Sequence, residues 1–316
     1  MARQHFGFVL FDGFSNLVLA NAIEPLRAAN QLSGQELFRR SLLTVNGDVA
    51  LSSSRIVVRP DGRLADAGPF DVLFVVAGYD FRERSTAGAR SALGRAAAHA
   101  RKLAGLDTGS WLLAAAGLID GQRATIHWQE LDAFAEAFPT VEVGSERYVI
   151  DGRAISAGGA STVLDLMLRL IRERCGDALT FDVMNLFIYD VERAYDRPHR
   201  GARSRRLIEL SPKLISAITV MRRTVETPLA ITEIAERVAT SPRSLARDFQ
   251  REFAMAPGHY YQLVRLKAAR RLVEETPLGV AEIAVRTGYS SAATLSRAFS
   301  RHFNTTIRGI RRARRP

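Results

Sequence analysis

One pattern is written twice between residues 229 and 303, and any fold for this chain has to accommodate both copies. The first copy covers residues 231–253 (ITEIAERVATSPRSLARDFQREF) and the second residues 280–303 (VAEIAVRTGYSSAATLSRAFSRHF). With one residue inserted in the second, Ile234 and Ala235 fall on Ile283 and Ala284. Leu245, Arg247, Phe249 and Phe253 then fall on Leu295, Arg297, Phe299 and Phe303. Each copy reads as a short helix, a turn and a second helix. Ile231, Ile234, Ala235 and Val238 form one apolar stripe on the first helix. Leu245, Phe249 and Phe253, at i, i+4 and i+8, share a face of the second. Ser241-Pro242 supplies an N-cap and a first helical residue, and Gly288 is free to take a positive φ before Ser290. The repeat is thus a pair of helix-turn-helix units, 229–253 and 278–303, each burying a small core of its own.

The charge follows the repeat. Residues 201–316 carry 22 Lys and Arg against 9 Asp and Glu, a net +13, whereas the whole chain is +11 and residues 1–200 are therefore −2. Basic helix-turn-helix units match the phosphate field of duplex DNA. A solvated basic bundle is the plainer alternative, and it leaves the duplication unexplained.

The two units resemble the AraC/XylS-type DNA-binding domain over residues 213–312. The shared features are xxEIAxRxxxS in each copy, LxRxF in each second helix, and Pro257 after the first unit. The resemblance implies a long connecting helix at residues 260–275, with Leu263, Leu266, Ala269 and Val273 on its buried side. Ala254 and Asn304 stand where the family usually has Gly, and Ile307 and Ile310 where it has Pro and Tyr. These departures are expected to loosen the loop after each second helix. The exposed side of each second helix is expected in the major groove. In the first unit that side offers Arg243, Ser244 and Arg247, suited to guanine at about 1–3 kcal/mol per bidentate contact. In the second it offers Ala292, Ala293, Ser296 and Arg297, suited to thymine methyls plus one arginine contact. The two half-sites are expected about 10 bp apart on one face of the duplex. The tail IRRARRP reads either as extra phosphate contacts or as a disordered basic end.

Residues 1–200 have a different grammar. HFGFVLF (5–11) and DVLFVV (71–76) are continuous apolar runs that end at Asp12-Gly13 and Ala77-Gly78-Tyr79. Further strands are expected at 42–45, 56–58 and 102–106, and helices at 16–32, 88–100 and 111–118. Fully apolar strands alternating with helices give a doubly wound α/β sheet covered on both faces, with ligands beyond the carboxyl ends of its strands. Amphipathic helices follow at 160–174 and 180–195. The second has apolar surface to spare, for core packing or for a homodimer interface. DRPHRGARSRR (196–206) reads as an exposed linker. The expected domains are therefore 1–194, a linker 195–212, and 213–316.

The first domain resembles the class I glutamine amidotransferase-like family of the PfpI type, with a flavodoxin-like sandwich fold. The matching residues are 8–13 (FVLFDG), 24–30 (EPLRAAN) and 105–109 (GLDTG). In the family's enzymes the last segment is a nucleophile elbow with cysteine at its centre. Here the centre is Asp107, and a carboxylate does not replace a thiolate. Thr108 is adjacent but faces the wrong way. No catalytic residue is assigned, and the competing class, a hydrolase or amidotransferase with accessory DNA binding, is disfavoured on this ground. The fusion resembles the regulators of arginine, carnitine and betaine catabolism.

The expected use of the altered elbow is an effector pocket for a small cationic metabolite. Glu24 and Asp107 supply charge, Thr108 lies beside them, and Phe11, Tyr79, Trp111 and Trp128 supply aromatic walls. Each has a plainer role: Asp107 as a helix N-cap, Glu24 as an ordinary surface or buried hydrogen-bonded carboxylate, the tryptophans as core, and His127 as a structural histidine. No metal or cofactor is expected. The six histidines lack ligand spacing, and Gly158-Gly159 lacks both G-x-G-x-x-G and a P-loop lysine. The single cysteine, Cys175, and the lack of a signal pattern or a long apolar run suit a cytoplasmic chain with no membrane partner. The expected partners are promoter DNA, a small-molecule effector, RNA polymerase and a second copy.

Overall fold

The structure, a computed structural model, describes residues 2–187 and 211–313. It divides into two compact units, Met1–Leu207 and Ile208–Pro316. The linker 196–206, the end of the helix expected at 180–195, and the last residues of the basic tail lie outside the described residues.

In the first unit the chain runs through β1 (Gln4–Leu10), α1 (Asn16–Ser33) and β2 (Phe38–Thr44), then a short hairpin β3 (Ala50–Leu51) and β4 (Val57–Val58). It continues through β5 (Gly62–Arg63), β6 (Phe70–Ala77), α2 (Phe81–Arg84), α3 (Ala87–Ala97), β7 (Ala100–Asp107) and α4 (Gly109–Ala115). The remainder is β8 (Arg123–Ala124), α5 (Leu131–Ala137), β9 (Glu142–Val143), β10 (Tyr148–Asp151), β11 (Ala154–Ala157) and α6 (Ala160–Leu186). The main sheet has the order β10-β11-β7-β6-β1-β2-β5, parallel except for the antiparallel edge strand β10.

The apolar runs become strands because both of their faces are buried. Phe8 stacks on Phe74 at 4.7 Å, opposite it in register, while Val9, Leu73 and Val75 enter the core on the other face. The expected strand at 102–106 is the longer β7 in the middle of the sheet. That at 56–58 shrinks to β4, paired with β3 outside the main sheet. The expected helices at 160–174 and from 180 onward are both present within α6, as two helices meeting at a kink at Gly176 (φ 81, ψ 175), a conformation close to glycine-only. Phe181, Val183 and Met184 beyond the break are buried, so that part of the apolar surplus is core. Among the described residues no helix is long and apolar enough to cross a membrane.

The second unit is all helix: α7 (Pro212–Arg223), α8 (Ile231–Arg237), α9 (Pro242–Phe253), α10 (Pro257–Glu275), α11 (Val280–Arg286), α12 (Ala292–Phe303) and α13 (Ile307–Ala313). The repeat is visible as two cores. Phe249 packs on Phe253 and Tyr260 at 5.4 and 5.2 Å, and Phe299 on Phe303 at 4.6 Å among Leu266, Ala269, Ile283 and Leu295. The connector α10 serves both cores, starting earlier than expected. Tyr260 and Tyr261 are buried at its first turns, whereas Leu263 is only half-buried. The departures after each second helix do not loosen the chain. Ala254 and Asn304 both hold the left-handed C-cap at φ 51, and Ile307 is buried as α13 begins.

Candidate effector pocket and nucleic-acid interface

β7 ends at Asp107 and α4 begins at Gly109, so the chain turns from strand to helix within two residues. Such a turn needs close backbone approach. A Cβ on Gly109 would lie 2.0 Å from the Val75 carbonyl oxygen, and one on Gly105 2.5 Å from the Ser110 nitrogen. Asp107 sits at φ 61, a left-handed conformation that costs a non-glycine residue about 1–2 kcal/mol. The elbow geometry is therefore kept around a carboxylate.

Asp107 is not an N-cap. The cap position of α4 is Thr108, which makes no side-chain cap bond and donates its hydroxyl to the Gly78 carbonyl at 2.8 Å. Among the described residues, no donor and no cation reaches the Asp107 carboxyl. At 8% exposure, burial pushes its pKa up to about 7.

Neighbouring turns are tied together by main-chain bonds at this end of the sheet. The Tyr79 N–H donates to Gly13 O at 3.0 Å and the His127 N–H to Asp107 O at 3.2 Å. Tyr79 and Trp128, each beside one of these contacts, are 70% and 71% exposed. The charges around them are matched: Arg82 pairs with Glu130, and Arg84 lies 3.7 Å from Asp12. Burial lowers the pKa of His127, with Glu130 opposing, so the ring is neutral at pH 7.

The structure divides the expected pocket residues. Asp107, Thr108 and Tyr79 lie at the carboxyl ends of β7 and β6, and Trp128 follows His127, whose N–H bonds the Asp107 carbonyl. Phe11 is core at 6% exposure. Trp111 packs edge-on to Phe81 and Phe138 at 5.3 and 5.0 Å, with the Arg82 guanidinium 4.5 Å from its ring centre, so it supports the site from behind. Glu24 is turned along its own helix to Arg27 at 2.7 Å, and among the described residues it has no hydrogen bond or ion pair to the elbow. Sequence reading missed Arg82 and Glu130. Nothing local links residues 48 apart, although an arginine beside the Gly78-Tyr79 turn was a weak signal.

In the second unit the groove-facing helices are built alike. Ser241 accepts from Ser244 N at 3.1 Å to start α9, and Ser291 from Thr294 N at 3.1 Å to start α12. With Leu245, Phe249, Leu295 and Phe299 buried, the opposite faces expose Arg243, Arg247, Ala293 and Arg297, while Ser244, Ala292 and Ser296 are half-buried. Among the described residues Arg243, Arg247 and Arg297 have no ion pair. Their neighbours differ: Arg251 is held by Asp248 and Glu252, and Arg286 by Glu282. Arg247 makes only a long bond, 3.5 Å, to the Ser244 hydroxyl, and guanidinium groups without an ion pair on one face of a capped helix are available to base edges and phosphates.

Comparison with known proteins accounts for both units. Residues 8–173 match the DJ-1/PfpI family and residues 234–313 a helix-turn-helix domain family. The chain is 36% identical over 300 residues to the HTH-type transcriptional regulator CdhR of Pseudomonas aeruginosa, covering 95% of this chain and 89% of that protein. It is 34% identical over 308 residues to the HTH-type transcriptional regulator GbdR of the same species, covering 98% and 84%. Among solved structures, an AraC family transcriptional regulator from Pseudomonas putida superimposes with a TM-score of 0.52 at 26% identity, covering 58% of this chain and 99% of that one.

Proposed function

The chain belongs to the AraC-type transcriptional regulators that carry an N-terminal DJ-1/PfpI unit, and on that footing we propose how its two sites work. It is a DNA-binding transcriptional regulator. The effector we infer for the N-terminal unit is a small organic cation, such as a quaternary ammonium, guanidinium or amine compound. The observation that carries this reading is Asp107, a buried carboxyl without a partner among the described residues, at the strand-to-helix elbow, with Tyr79 and Trp128 exposed on the adjoining turns. A cation there would gain the carboxylate and the aromatic faces at once, and its charge would draw the Asp107 pKa back down. Glu24 is left out of this pocket. Catalysis is left out too. The elbow lacks a thiol, and burial pushes the Cys175 thiol on α6 up to about 11, too protonated to act as a nucleophile at neutral pH.

The test is thermal unfolding of the full chain against betaines, carnitine, amino acids and polyamines. A ligand at a hundred times its Kd should add about 2.7 kcal/mol. Because the cation needs the ionised carboxyl, the shift should be larger at pH 8 than at pH 6, and Asp107→Asn should remove it. A hit that survives Asp107→Asn with no pH dependence would place the effector elsewhere.

The C-terminal unit would read promoter DNA through Arg243 and Arg247 in one half-site and Arg297 in the next, with Ser244, Ala292, Ala293 and Ser296 completing the surfaces. Arg247→Ala and Arg297→Ala should each cost about 1–3 kcal/mol on a selected site and clearly less on scrambled DNA. Equal losses on both duplexes would reduce these arginines to phosphate contacts. Activation through RNA polymerase and pairing of two copies complete the proposal for a cytoplasmic regulator.

A further inference from the structure

Two residues four apart on α10, and so on one face of it, hold the two helix-turn-helix units in register. Tyr261 grips the loop that leads into the first unit: its hydroxyl donates to Thr224 O at 2.8 Å and lies 3.4 Å from Leu229 N, which donates to it. One turn later, Arg265 grips the turn of the second unit. Its Nε donates to Thr287 O at 2.8 Å, a second guanidinium nitrogen donates to Gly288 O, and the group lies 4.3 Å from the Tyr289 ring centre.

The gripped loop and the gripped turn also touch each other. Gly288 stands at φ 67, and a Cβ there would fall 2.4 Å from Pro228 Cγ and 2.7 Å from Val225 O. The second unit's turn is therefore pressed onto the loop that opens the first. Its carbonyls are closed off from behind by Arg265. The equivalent turn of the first unit has a lighter fastening: Ala239, at φ 51, accepts one bond from exposed Lys213 at 2.6 Å. The heavier fastening sits where the two units meet.

We propose that Arg265 is a positioning residue for DNA recognition, fixing the distance and phase between α9 and α12 and with them the one half-site spacing the regulator accepts. This rests on the reading that both units contact DNA. Arg265 itself need touch no base. Its guanidinium is spent on two carbonyls and a ring, which a lysine or glutamine cannot reproduce together.

The experiment is selection of sites from a pool of random duplexes by the full chain, run in parallel on wild type, Arg265→Ala and Arg265→Gln. Thermal unfolding identifies which variants are folded, and Arg265→Gln, which keeps one donor, carries the test if the alanine variant is not. Wild type should enrich two half-elements at one spacing, with a penalty of about tenfold or more for one inserted base pair. The variants should enrich the same half-elements over a range of spacings, with that penalty reduced below about threefold. A variant that keeps the single spacing and the full penalty, however weakened its binding, overturns the proposal. So does a change in the half-element sequences, which would make Arg265 a base reader, or a wild-type site with only one half-element. If wild type enriches nothing, the DNA-binding reading fails instead.

Discussion

Asp107→Asn is expected to be more stable than the wild-type chain at pH 8, by about 4 kcal/mol in the N-terminal unit. A carboxyl moved from 3.8 to about 7 in the folded state must be ionised at pH 8 against some three pH units of burial cost, at about 1.36 kcal/mol each. An acid whose pKa is raised on folding binds more protons folded than unfolded between the two values. Stability therefore falls as pH rises from about 4 to about 7, then levels off. Asparagine has the same shape and no charge, so its curve should converge on the wild-type curve as pH falls below about 4 and separate from it steadily up to pH 7. His127, with its pKa lowered by burial, contributes a slope of opposite sign to both proteins and cancels in the difference. Urea unfolding of both chains from pH 4 to 8 measures the gap. Coincident curves at pH 8 would mean that the carboxyl is solvated or paired, and the cation pocket would lose its charge.

The second large effect is expected from Phe299→Ala. The ring is fully buried against Phe303, Leu295 and the connector helix, and truncations of this kind cost about 3–5 kcal/mol. Against a typical domain stability of about 5–15 kcal/mol, that removes much of what holds the second helix-turn-helix unit. Its DNA contacts should go with it, leaving affinity for a single half-element. The duplication predicts a matching result for Phe249→Ala, also fully buried, with the opposite half-element lost. Thermal unfolding and titration of duplexes carrying one or both half-elements separate the two variants. A cost below about 1 kcal/mol would mean that the surrounding side chains collapse into the space, and the two cores would not be independent.

These cases mark what the sequence made readable. The repeat was legible because helical spacing is local: Leu245, Phe249 and Phe253 announce their common face without any tertiary information. Continuous apolar runs gave the parallel sheet on the same terms, because burial on both faces leaves no alternation. The antiparallel edge strand Tyr148–Asp151 gave no such signal, being short and only partly buried. At the elbow the sequence supplied the glycine spacing, but not the state of its central residue. Whether Asp107 caps a helix or stands unpaired depends on Val75 and Gly78, at the end of β6, and on His127, which arrive from two other segments. Glu24 was singled out for its place in a motif, yet its geometry is set by Arg27 one helical turn away. Trp111 was a candidate wall by residue type and became packing once Phe81, Phe134 and Phe138 surrounded it. Arg265 looked like one more charge on a basic helix, because the carbonyls it holds lie 22 and 23 residues further along.

The central claim is sequence-specific recognition of DNA by this chain, and the most direct measurement is a ratio. The full chain's affinity for its selected duplex is compared with that for a scrambled duplex of equal length, over a range of salt concentrations. The account predicts a preference of about a thousandfold or more near physiological salt, with both affinities falling as salt rises. A ratio near one at every salt concentration would contradict it, leaving a basic surface that binds any duplex.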